Sequence, residues 1–288
     1  MIPYAFEYTR VGSVDEALMV LAGNDNAKLL AGGHSLIPAM KLRLNAPSML
    51  VDIAGISELA QISATNGTLH IGALATHRAV ETSDLVKARC AVLAEVAGSI
   101  GDLQVRNKGT LGGSLAHADP AADYPALVLA LDATIKVAGT SGRRVLSADD
   151  FFVDLFTTAL EEGEIITEVV FPALSAGTGA AYAKFPNPAS KFAVVGVAAC
   201  VSVDAQGLCT EVRIGVTGAA ANAFRASNVE EKLSGKRLDA STIATAVAGM
   251  ADPDDMLSDL SASDEYRAHL CEVMAQRALT AAAKRAAA

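Results

Sequence analysis

The first candidate binding element is the segment Lys28–Ser35, with the sequence KLLAGGHS. It leads from an apolar stretch predicted to be a strand, through Gly32 and Gly33, into a predicted helix that Ser35 could cap. A strand-to-helix turn of this kind presents free backbone N–H groups at the positive end of a helix dipole, which suits a phosphate. The segment therefore predicts an anion-binding turn.

A second glycine turn, Gly109–Ser114, has the sequence GTLGGS. Two adjacent residues without side chains let the backbone approach a ligand, and consecutive N–H groups can form an anion nest. Together the two turns could hold one pyrophosphate. Taken singly, each is more often explained by ordinary turn geometry. The patterns G-x-x-x-x-G-K-[ST] and G-x-G-x-x-G are both absent, which disfavours an NAD-type Rossmann site.

Two aspartates follow the second turn, in the segment Asp119–Pro125 with the sequence DPAADYP. Asp119 followed by Pro120 predicts an N-cap and a first helical residue, for a helix from about Pro120 to Leu131. Asp123 is expected on the same helical face, where its carboxylate could accept hydrogen bonds from ligand hydroxyls. An exposed first-turn carboxylate without any ligand is an equal alternative.

Residues for other kinds of chemistry are scattered. Cysteines occur singly, without a C-x-x-C pair or a histidine at metal-ligand spacing, at Cys90, Cys200, Cys209 and Cys271. We expect buried, reduced thiols, and neither zinc nor an iron–sulfur cluster in this chain. No histidine pairs with a serine or cysteine in a triad-like setting, so no catalytic side chain is assigned.

Composition narrows the class of protein. The 288 residues are 51% hydrophobic and 19% charged, which is typical of a globular protein with two domains or one large domain. The formal net charge of −9 and the scattered basic residues argue against nucleic acid as a partner. No basic leader and no membrane-spanning apolar run is found, so we expect a soluble, cytoplasmic protein.

The pattern of elements predicts an α+β architecture. Alternating helices and strands over residues 1–54 indicate a small α/β lobe with a parallel sheet. A second lobe is expected over 55–175, with one long helix from about Val80 to Ile100. The segment Pro172–Ala180, rich in Pro, Gly, Ser and Ala, is typical of a linker. A further α+β domain is expected over 179–288.

Two segments make a family resemblance specific. KLLAGGHSLIP at Lys28–Pro38 and QVRNKGTLGGSLAHADPAADYPAL at Gln104–Leu127 resemble the FAD subunits of molybdenum hydroxylases, most closely the carbon monoxide dehydrogenase type. The resemblance covers essentially the whole chain. It implies a PCMH-type FAD-binding domain of two α/β lobes, of the fold shared with vanillyl-alcohol oxidase, followed by a flavoprotein C-terminal domain.

The resemblance also implies which residues bind the cofactor. The two turns would bind the FAD pyrophosphate, Asp123 would hold flavin-nucleotide hydroxyls, and Lys184 would lie near the flavin. Ile100 and Ile166 would make apolar contacts. The implied FAD-binding residues are Lys28, Leu29, Leu30, Ala31, Gly32, Gly33, His34, Ser35, Ile100, Thr110, Leu111, Gly112, Gly113, Ser114, Asp123, Ile166, Lys184 and Phe192.

Two residues depart from the family pattern. Ser114 stands where many relatives have asparagine, which keeps the backbone donors but shortens one polar side chain. Phe192 stands where carbon monoxide dehydrogenase subunits have a tyrosine beside the isoalloxazine, and phenylalanine can stack but cannot donate a hydrogen bond. Ordinary packing between linker and second domain is the alternative role for Phe192.

The resemblance implies one subunit of a three-part enzyme, with a dimer of heterotrimers expected. A large subunit carrying molybdopterin-bound molybdenum oxidises the substrate, a small subunit with two [2Fe–2S] clusters relays electrons, and this chain's FAD passes them to an external acceptor. Contact with the inner membrane face would arise through the complex. Carbon monoxide is the favoured substrate, with xanthine, aldehydes or N-heterocycles such as quinoline or nicotine as alternatives. Rival interpretations are a self-sufficient flavin oxidoreductase and a cofactor-free assembly protein.

Overall fold

The computed structural model describes residues 1–288, and its first lobe is built on a three-stranded parallel sheet in the order β1–β3–β2. Its elements are β1 (Glu7–Arg10), α1 (Val14–Ala22), β2 (Ala27–Leu30), α2 (Leu36–Lys41) and β3 (Met49–Asp52). Parallel pairing requires crossover connections, which α1 and α2 supply. Val14 and Ala17 of α1 are buried in the same apolar cluster as Val51 of β3. The predicted α/β lobe is confirmed.

The second lobe surrounds a five-stranded antiparallel sheet in the order β4–β5–β10–β6–β7. A two-stranded ribbon, β8–β9, lies outside that sheet. The elements are β4 (Ile62–Thr65), β5 (Thr68–Gly72), α3 (His77–Thr82), α4 (Asp84–Arg89), α5 (Ala91–Ser99), α6 (Leu103–Arg106), α7 (Leu111–His117), α8 (Tyr124–Ala130), β6 (Thr134–Gly139), β7 (Gly142–Ser147), α9 (Ala148–Phe151), β8 (Phe152–Asp154), β9 (Thr157–Thr158) and β10 (Ile165–Phe171).

The long helix predicted from Val80 to Ile100 is wrong, because the chain forms α3, α4 and α5 there. Ser83 ends α3 in an extended conformation, and its hydroxyl accepts a hydrogen bond from the N–H of Val86 at 3.3 Å. A serine that caps a new helix in this way stabilises a break, which apolar periodicity alone does not reveal.

The helix predicted from Pro120 begins later, at Tyr124. Proline is tolerated in the first turn of a helix and disrupts the interior, so Pro125 requires a start close to itself. Asp119 therefore caps no helix. Its Oδ1 accepts a hydrogen bond from the N–H of Ala121 at 2.9 Å, within a turn.

The C-terminal region is a four-stranded antiparallel sheet in the order β11–β12–β13–β14, with three helices. Its elements are β11 (Thr178–Pro186), β12 (Ala193–Val203), β13 (Cys209–Thr217), β14 (Phe224–Arg225), α10 (Ser227–Leu233), α11 (Ala240–Val247) and α12 (Asp264–Ala286). Residues 178–180 of the predicted linker belong to β11. A Cβ atom at Gly179 would overlap the backbone of α12 at Ala282, so glycine allows the helix to lie close to the strand.

The C-terminal sheet holds the segment between α7 and α8. The N–H of Gly218 donates to the carbonyl of Pro120 at 2.6 Å, and the N–H of Ala193 donates to the carbonyl of Ala121 at 3.1 Å. The hydroxyl of Thr217 lies 2.6 Å from the carbonyl oxygen of Ala122. These bonds fix the turn that leads directly to Asp123.

Candidate functional site

The first glycine turn presents a row of free backbone donors. The N–H groups of Gly32, Gly33, His34 and Ser35 donate to no other group of the chain. Gly33 has a φ of +74°, a left-handed conformation that glycine adopts without steric cost. Successive N–H groups around such a residue form a concave anion nest. The turn therefore has the donor geometry expected for a phosphate.

The other residues of Lys28–Ser35 support this turn. Leu29, Leu30 and Ala31 are half-buried, whereas Lys28 and His34 are exposed. The prediction that Ser35 caps α2 with its side chain is wrong, because Ser35 has helical dihedral angles and makes no capping hydrogen bond. Its hydroxyl is exposed and makes no other hydrogen bond within the chain.

The second glycine turn differs, because its backbone donors are already bonded within the chain. The N–H groups of Leu111 and Gly112 donate to the carbonyls of Ala75 and Ala73, at 3.0 and 2.9 Å. The N–H of Gly113 donates to the Thr110 hydroxyl at 3.1 Å, and that of Ser114 to the Thr110 carbonyl at 3.0 Å. The expectation of a second nest of free donors is corrected by these bonds.

The glycines of the second turn serve close packing. A Cβ atom at Gly112 would lie 2.5 Å from the Cβ of Ala73, which follows β5. Gly113 is exposed, and the nearest atom outside its own turn would be the Cβ of Ala31, at 4.0 Å. Of the two, only Gly113 faces open space beside the first turn.

The two turns lie directly against each other. A Cβ atom at Gly32 would overlap the carbonyl of Lys108, the residue before Gly109. This contact brings the free donors of Gly32–Ser35 beside the exposed backbone of Gly113. The two glycine turns are therefore adjacent in the structure.

Asp123 lies in a buried ion pair at the domain junction. Its Oδ2 accepts a hydrogen bond from Lys184 Nζ at 2.9 Å, and Oδ1 lies 2.8 Å from the same Nζ as its ion-pair partner. The hydroxyl of Tyr182 donates to Oδ1 at 2.6 Å. Burial raises the pKa of Asp123, and Lys184 and Tyr182 oppose that rise. The alternative of an exposed first-turn carboxylate is wrong, because only 3% of Asp123 is exposed.

The same ion pair reaches Ile100. Lys184 Nζ also donates to the carbonyl of Ser99 at 3.3 Å, and Arg106 Nη1 donates to the carbonyls of Ile100 and Gly101 at 3.1 and 3.3 Å. Two cations thus hold three successive carbonyls of this turn. The structure brings Asp123, which the sequence pattern had already singled out, together with Ile100 and Lys184, which were implied by resemblance alone.

His77 lies beneath the second turn. A Cβ atom at Gly109 would be 2.5 Å from its Nε2, so the imidazole fills the space that the glycine leaves. Burial, with smaller contributions from His34 and Arg106, lowers the pKa of His77 to about 4. The imidazole is therefore neutral near pH 7. Its Nδ1 and the hydroxyl of Tyr124, whose ring centroid lies 5.4 Å away, have no hydrogen-bond partner.

Ile166 and Phe192 occupy different surroundings. Ile166 is buried in β10 beside a β-bulge, where the carbonyl of Thr167 accepts from the N–H of Ala73 at 3.0 Å, so it lies near the second turn. Phe192 is 46% exposed and lines a cavity of about 290 Å³ at the domain junction, together with Asp119 and Arg267. No residue of either glycine turn lines that cavity.

Sequence reasoning missed three residues that organise the site: Tyr182, Arg106 and His77. Tyr182 was hidden because β11 begins inside the predicted linker; alternation along that strand places Tyr182 and Lys184 on one face. In the sequence, Arg106 and His77 are isolated basic residues near turns, which is a weak signal of a role in a site. Their roles depend on contacts between segments distant in sequence.

Three further structural findings bear on function. No group of three or more His, Cys, Asp or Glu residues is placed to hold a metal ion. None of the helices is long and apolar enough to cross a membrane. Three of the four free cysteines are buried, and burial raises the pKa of the Cys90 thiol to about 11.

Comparison with known families accounts for nearly the whole chain. Residues 4–174 match the FAD binding domain in molybdopterin dehydrogenase, and residues 180–282 match the CO dehydrogenase flavoprotein C-terminal domain. These two matches follow one another along the chain without overlap.

Individual relatives agree with this assignment over their full length. The chain is 39% identical to the carbon monoxide dehydrogenase medium chain of Hydrogenophaga pseudoflava, covering 98% of each. It is 38% identical to the 6-hydroxypseudooxynicotine dehydrogenase complex subunit alpha of Paenarthrobacter nicotinovorans, covering 99% of this chain and 97% of that one. A solved structure of carbon monoxide dehydrogenase from Hydrogenophaga pseudoflava superposes with a TM-score of 0.94, at 40% identity and 99% coverage of each chain. The chain therefore belongs to the family of FAD-binding medium subunits of molybdenum hydroxylases.

Proposed function

We propose that this chain binds one FAD non-covalently and transfers electrons within a molybdenum hydroxylase. The observation that carries the proposal is the row of four unbonded N–H groups at Gly32–Ser35, placed against the second glycine turn. A pyrophosphate is the part of FAD that needs such donors.

Each part of the site has a proposed role toward FAD. Gly32–Ser35 would donate to the pyrophosphate, while Gly113 allows close approach and the hydroxyls of Thr110 and Ser114 line the other side. Oδ2 of Asp123 would accept from a ligand hydroxyl, because Lys184 occupies only one of its acceptor positions. The remaining implied contacts, from Lys28–Ala31, Leu111, Gly112, Ile100, Ile166, Lys184 and Phe192, are proposed on the family resemblance.

The side chains of this chain supply binding and electrostatics. When bound, FAD supplies the redox chemistry that no amino-acid side chain here provides. Lys184 and Arg106 fix the backbone around Ile100, and neutral His77 supports the second turn from below. None of these groups is required as a general base or nucleophile.

The proposed partners follow from the division of labour in the family. We propose a small subunit with two [2Fe–2S] clusters as electron donor, a large subunit with molybdopterin-bound molybdenum where substrate is oxidised, and an external acceptor. A dimer of heterotrimers in the cytoplasm, with contact to the inner membrane face through the complex, is the proposed assembly. The proposed domains are residues 1–175, with lobes 1–54 and 55–175, and residues 179–288.

Carbon monoxide is the first proposed substrate of the holoenzyme, by analogy with the Hydrogenophaga pseudoflava relative. The second candidate is an N-heterocyclic compound such as 6-hydroxypseudooxynicotine. One ground is a relative of nearly equal identity, 38% against 39%. The other is Phe192, which stands where the resemblance gives a tyrosine for the carbon monoxide dehydrogenase type. Because substrate would bind on another subunit, this chain is compatible with either.

The test begins with the isolated chain. It should contain about one FAD, released by heat or acid, and the flavin should stay oxidised under anaerobic carbon monoxide, purines, aldehydes or N-heterocycles. Co-expression with the two partner subunits should then restore flavin reduction by one of these compounds. Recovery of FMN, or bleaching of the isolated chain by any of them, would contradict the proposal.

A further inference from the structure

Two tyrosines lie beside Asp123, and only one is bonded to it. The hydroxyl of Tyr182, on the C-terminal sheet, donates to Asp123 Oδ1 at 2.6 Å. The hydroxyl of Tyr124, the next residue in the chain, is buried without a hydrogen-bond partner. The carboxylate is therefore oriented from the C-terminal domain and not from its own helix.

The C-terminal sheet is shaped to let Tyr182 reach Asp123. A Cβ atom at Gly196 of β12 would overlap the Tyr182 hydroxyl, so glycine leaves the space that the phenol occupies. Lys184 pairs with Gly196 in the ladder, which places the second donor to Asp123 beside the same opening. Three positions of the C-terminal sheet thus combine to orient one carboxylate.

These contacts leave a defined acceptor position on Asp123. An ionised carboxylate has about four acceptor positions. Oδ1 accepts a hydrogen bond from the Tyr182 hydroxyl and lies 2.8 Å from Lys184 Nζ as its ion-pair partner, whereas Oδ2 accepts one hydrogen bond, from Lys184. Because Tyr182 fixes the rotation of the carboxylate, the open position on Oδ2 points in a fixed direction.

We propose that Tyr182 is a positioning residue for the FAD site, which orients the Asp123 carboxylate toward a ligand hydroxyl. The inference rests on the proposed function, and it assigns to the C-terminal domain a part in completing the cofactor site. Tyr182 would act on the cofactor through its hydrogen bond to Asp123.

Charge makes this role measurable through pH. Tyr182 and Lys184 face Asp123 from β11 and Tyr124 from α8, while His77 and Glu81 of α3 lie beyond Tyr124. Loss of the Tyr182 hydroxyl removes one donor to the ionised carboxylate, so the pKa of Asp123 rises. FAD binding that needs an ionised Asp123 is present above the pKa of Asp123 and is lost as the pH falls through that pKa. Because the pKa is higher without the Tyr182 hydroxyl, FAD binding is then lost at a higher pH.

The experiment compares Tyr182→Phe with Tyr124→Phe in the full chain. FAD affinity is measured by fluorescence titration of the apoprotein from about pH 5 to about pH 8. Tyr182→Phe should weaken FAD binding about tenfold, as expected for a lost hydrogen bond to a charged group, and should move the acid-side loss of binding to higher pH. Tyr124→Phe should bind like the parent at every pH, because its hydroxyl has no partner.

A double-variant cycle shows whether Tyr182 acts through Asp123. In an Asp123→Asn background, Tyr182→Phe should have a much smaller effect on FAD affinity. Equal effects in both backgrounds, or a Tyr182→Phe protein that binds FAD like the parent at every pH, would overturn this inference alone. A parent protein that folds and binds no FAD would instead overturn the proposed function.

Discussion

In the first glycine turn the N–H groups of Gly32–Ser35 have no partner in the chain, whereas in the second turn those of Leu111–Ser114 are all bonded. The glycines differ in the same way. Position 33 favours glycine because its φ is +74°. Position 112 favours glycine because a side chain there would collide with Ala73. The first turn has the free donors that an anion would need, and the second turn is packed against its neighbours.

The two turns therefore have different structural roles. The second turn anchors α7 to the end of β5 and places Lys108 against Gly32. The first turn then has a firm surface behind it while its donors stay free. Pairs of glycines thus mark both a ligand-facing backbone and a tightly packed one, and only the hydrogen-bond pattern distinguishes them.

The largest expected effect is on folding, from Gly112→Val. Three added carbons would start 2.5 Å from the Cβ of Ala73, where the backbone atoms of Ala73 lie only 2.9 Å away. Overpacking of this kind costs about 3 kcal/mol or more. Thermal denaturation of the apoprotein should show a large loss of stability. Gly12→Val, where the nearest atom is the end of the Glu16 side chain at 3.7 Å, is the control.

A different result for Gly112→Val would reverse the comparison. If the apoprotein keeps the parent's melting temperature and loses only FAD binding, the second turn is a ligand nest like the first. From the sequence alone that outcome is the expected one, because each turn carries two adjacent glycines and nothing in the residue types separates them.

Much of the fold could be predicted from the sequence. The alternation of helical and strand patterns identified the parallel sheet of the first lobe and the α+β class of the rest, because each such element buries one consistent face. The break at Ser83 and the late start of α8 depend on single capping and proline positions. The partners of Asp123 could not be predicted, since Tyr182 and Lys184 lie on β11, a strand distant in sequence that begins inside the predicted linker and was not predicted.

The second prediction concerns His77 beneath the second turn. Burial lowers its pKa from 6.5 to about 4, so the unfolded chain takes up a proton before the folded chain does. Above pH 6.5 His77 causes no loss in the free energy of unfolding. As the pH falls from 6.5 toward 4, the free energy of unfolding declines by up to about 3 kcal/mol, because the unfolded chain is protonated at this histidine and the folded chain is not. His77→Gln should flatten this part of the profile of unfolding free energy against pH.

The control for His77 is His269→Gln, which removes an exposed imidazole from α12. It should leave the acid side of the profile unchanged. A His77→Gln protein that loses stability in acid as steeply as the parent would show that other groups cause the decline. The second turn would then have no special sensitivity to acid.

The smallest expected effect on folding, and the most selective for ligand, is that of Gly33→Ala. A non-glycine residue in the left-handed region costs about 1–2 kcal/mol, and the added Cβ meets only the flexible ends of Ile37 and Leu30, at 3.0 and 3.2 Å. Relief of that strain by rotation of φ would turn the N–H groups of Gly32–Ser35 away from a common point. FAD affinity in a fluorescence titration should therefore fall at least about tenfold, more than the change in melting temperature accounts for.

Gly163→Ala is a matched control, because Gly163 has a φ of +79° with no atom within 4 Å and lies outside both turns. It should lose similar stability and keep its FAD affinity. Equal FAD affinity in the two variants would mean that the φ of Gly33 serves only the turn, and that the free donors of the first turn do not set the affinity for the pyrophosphate.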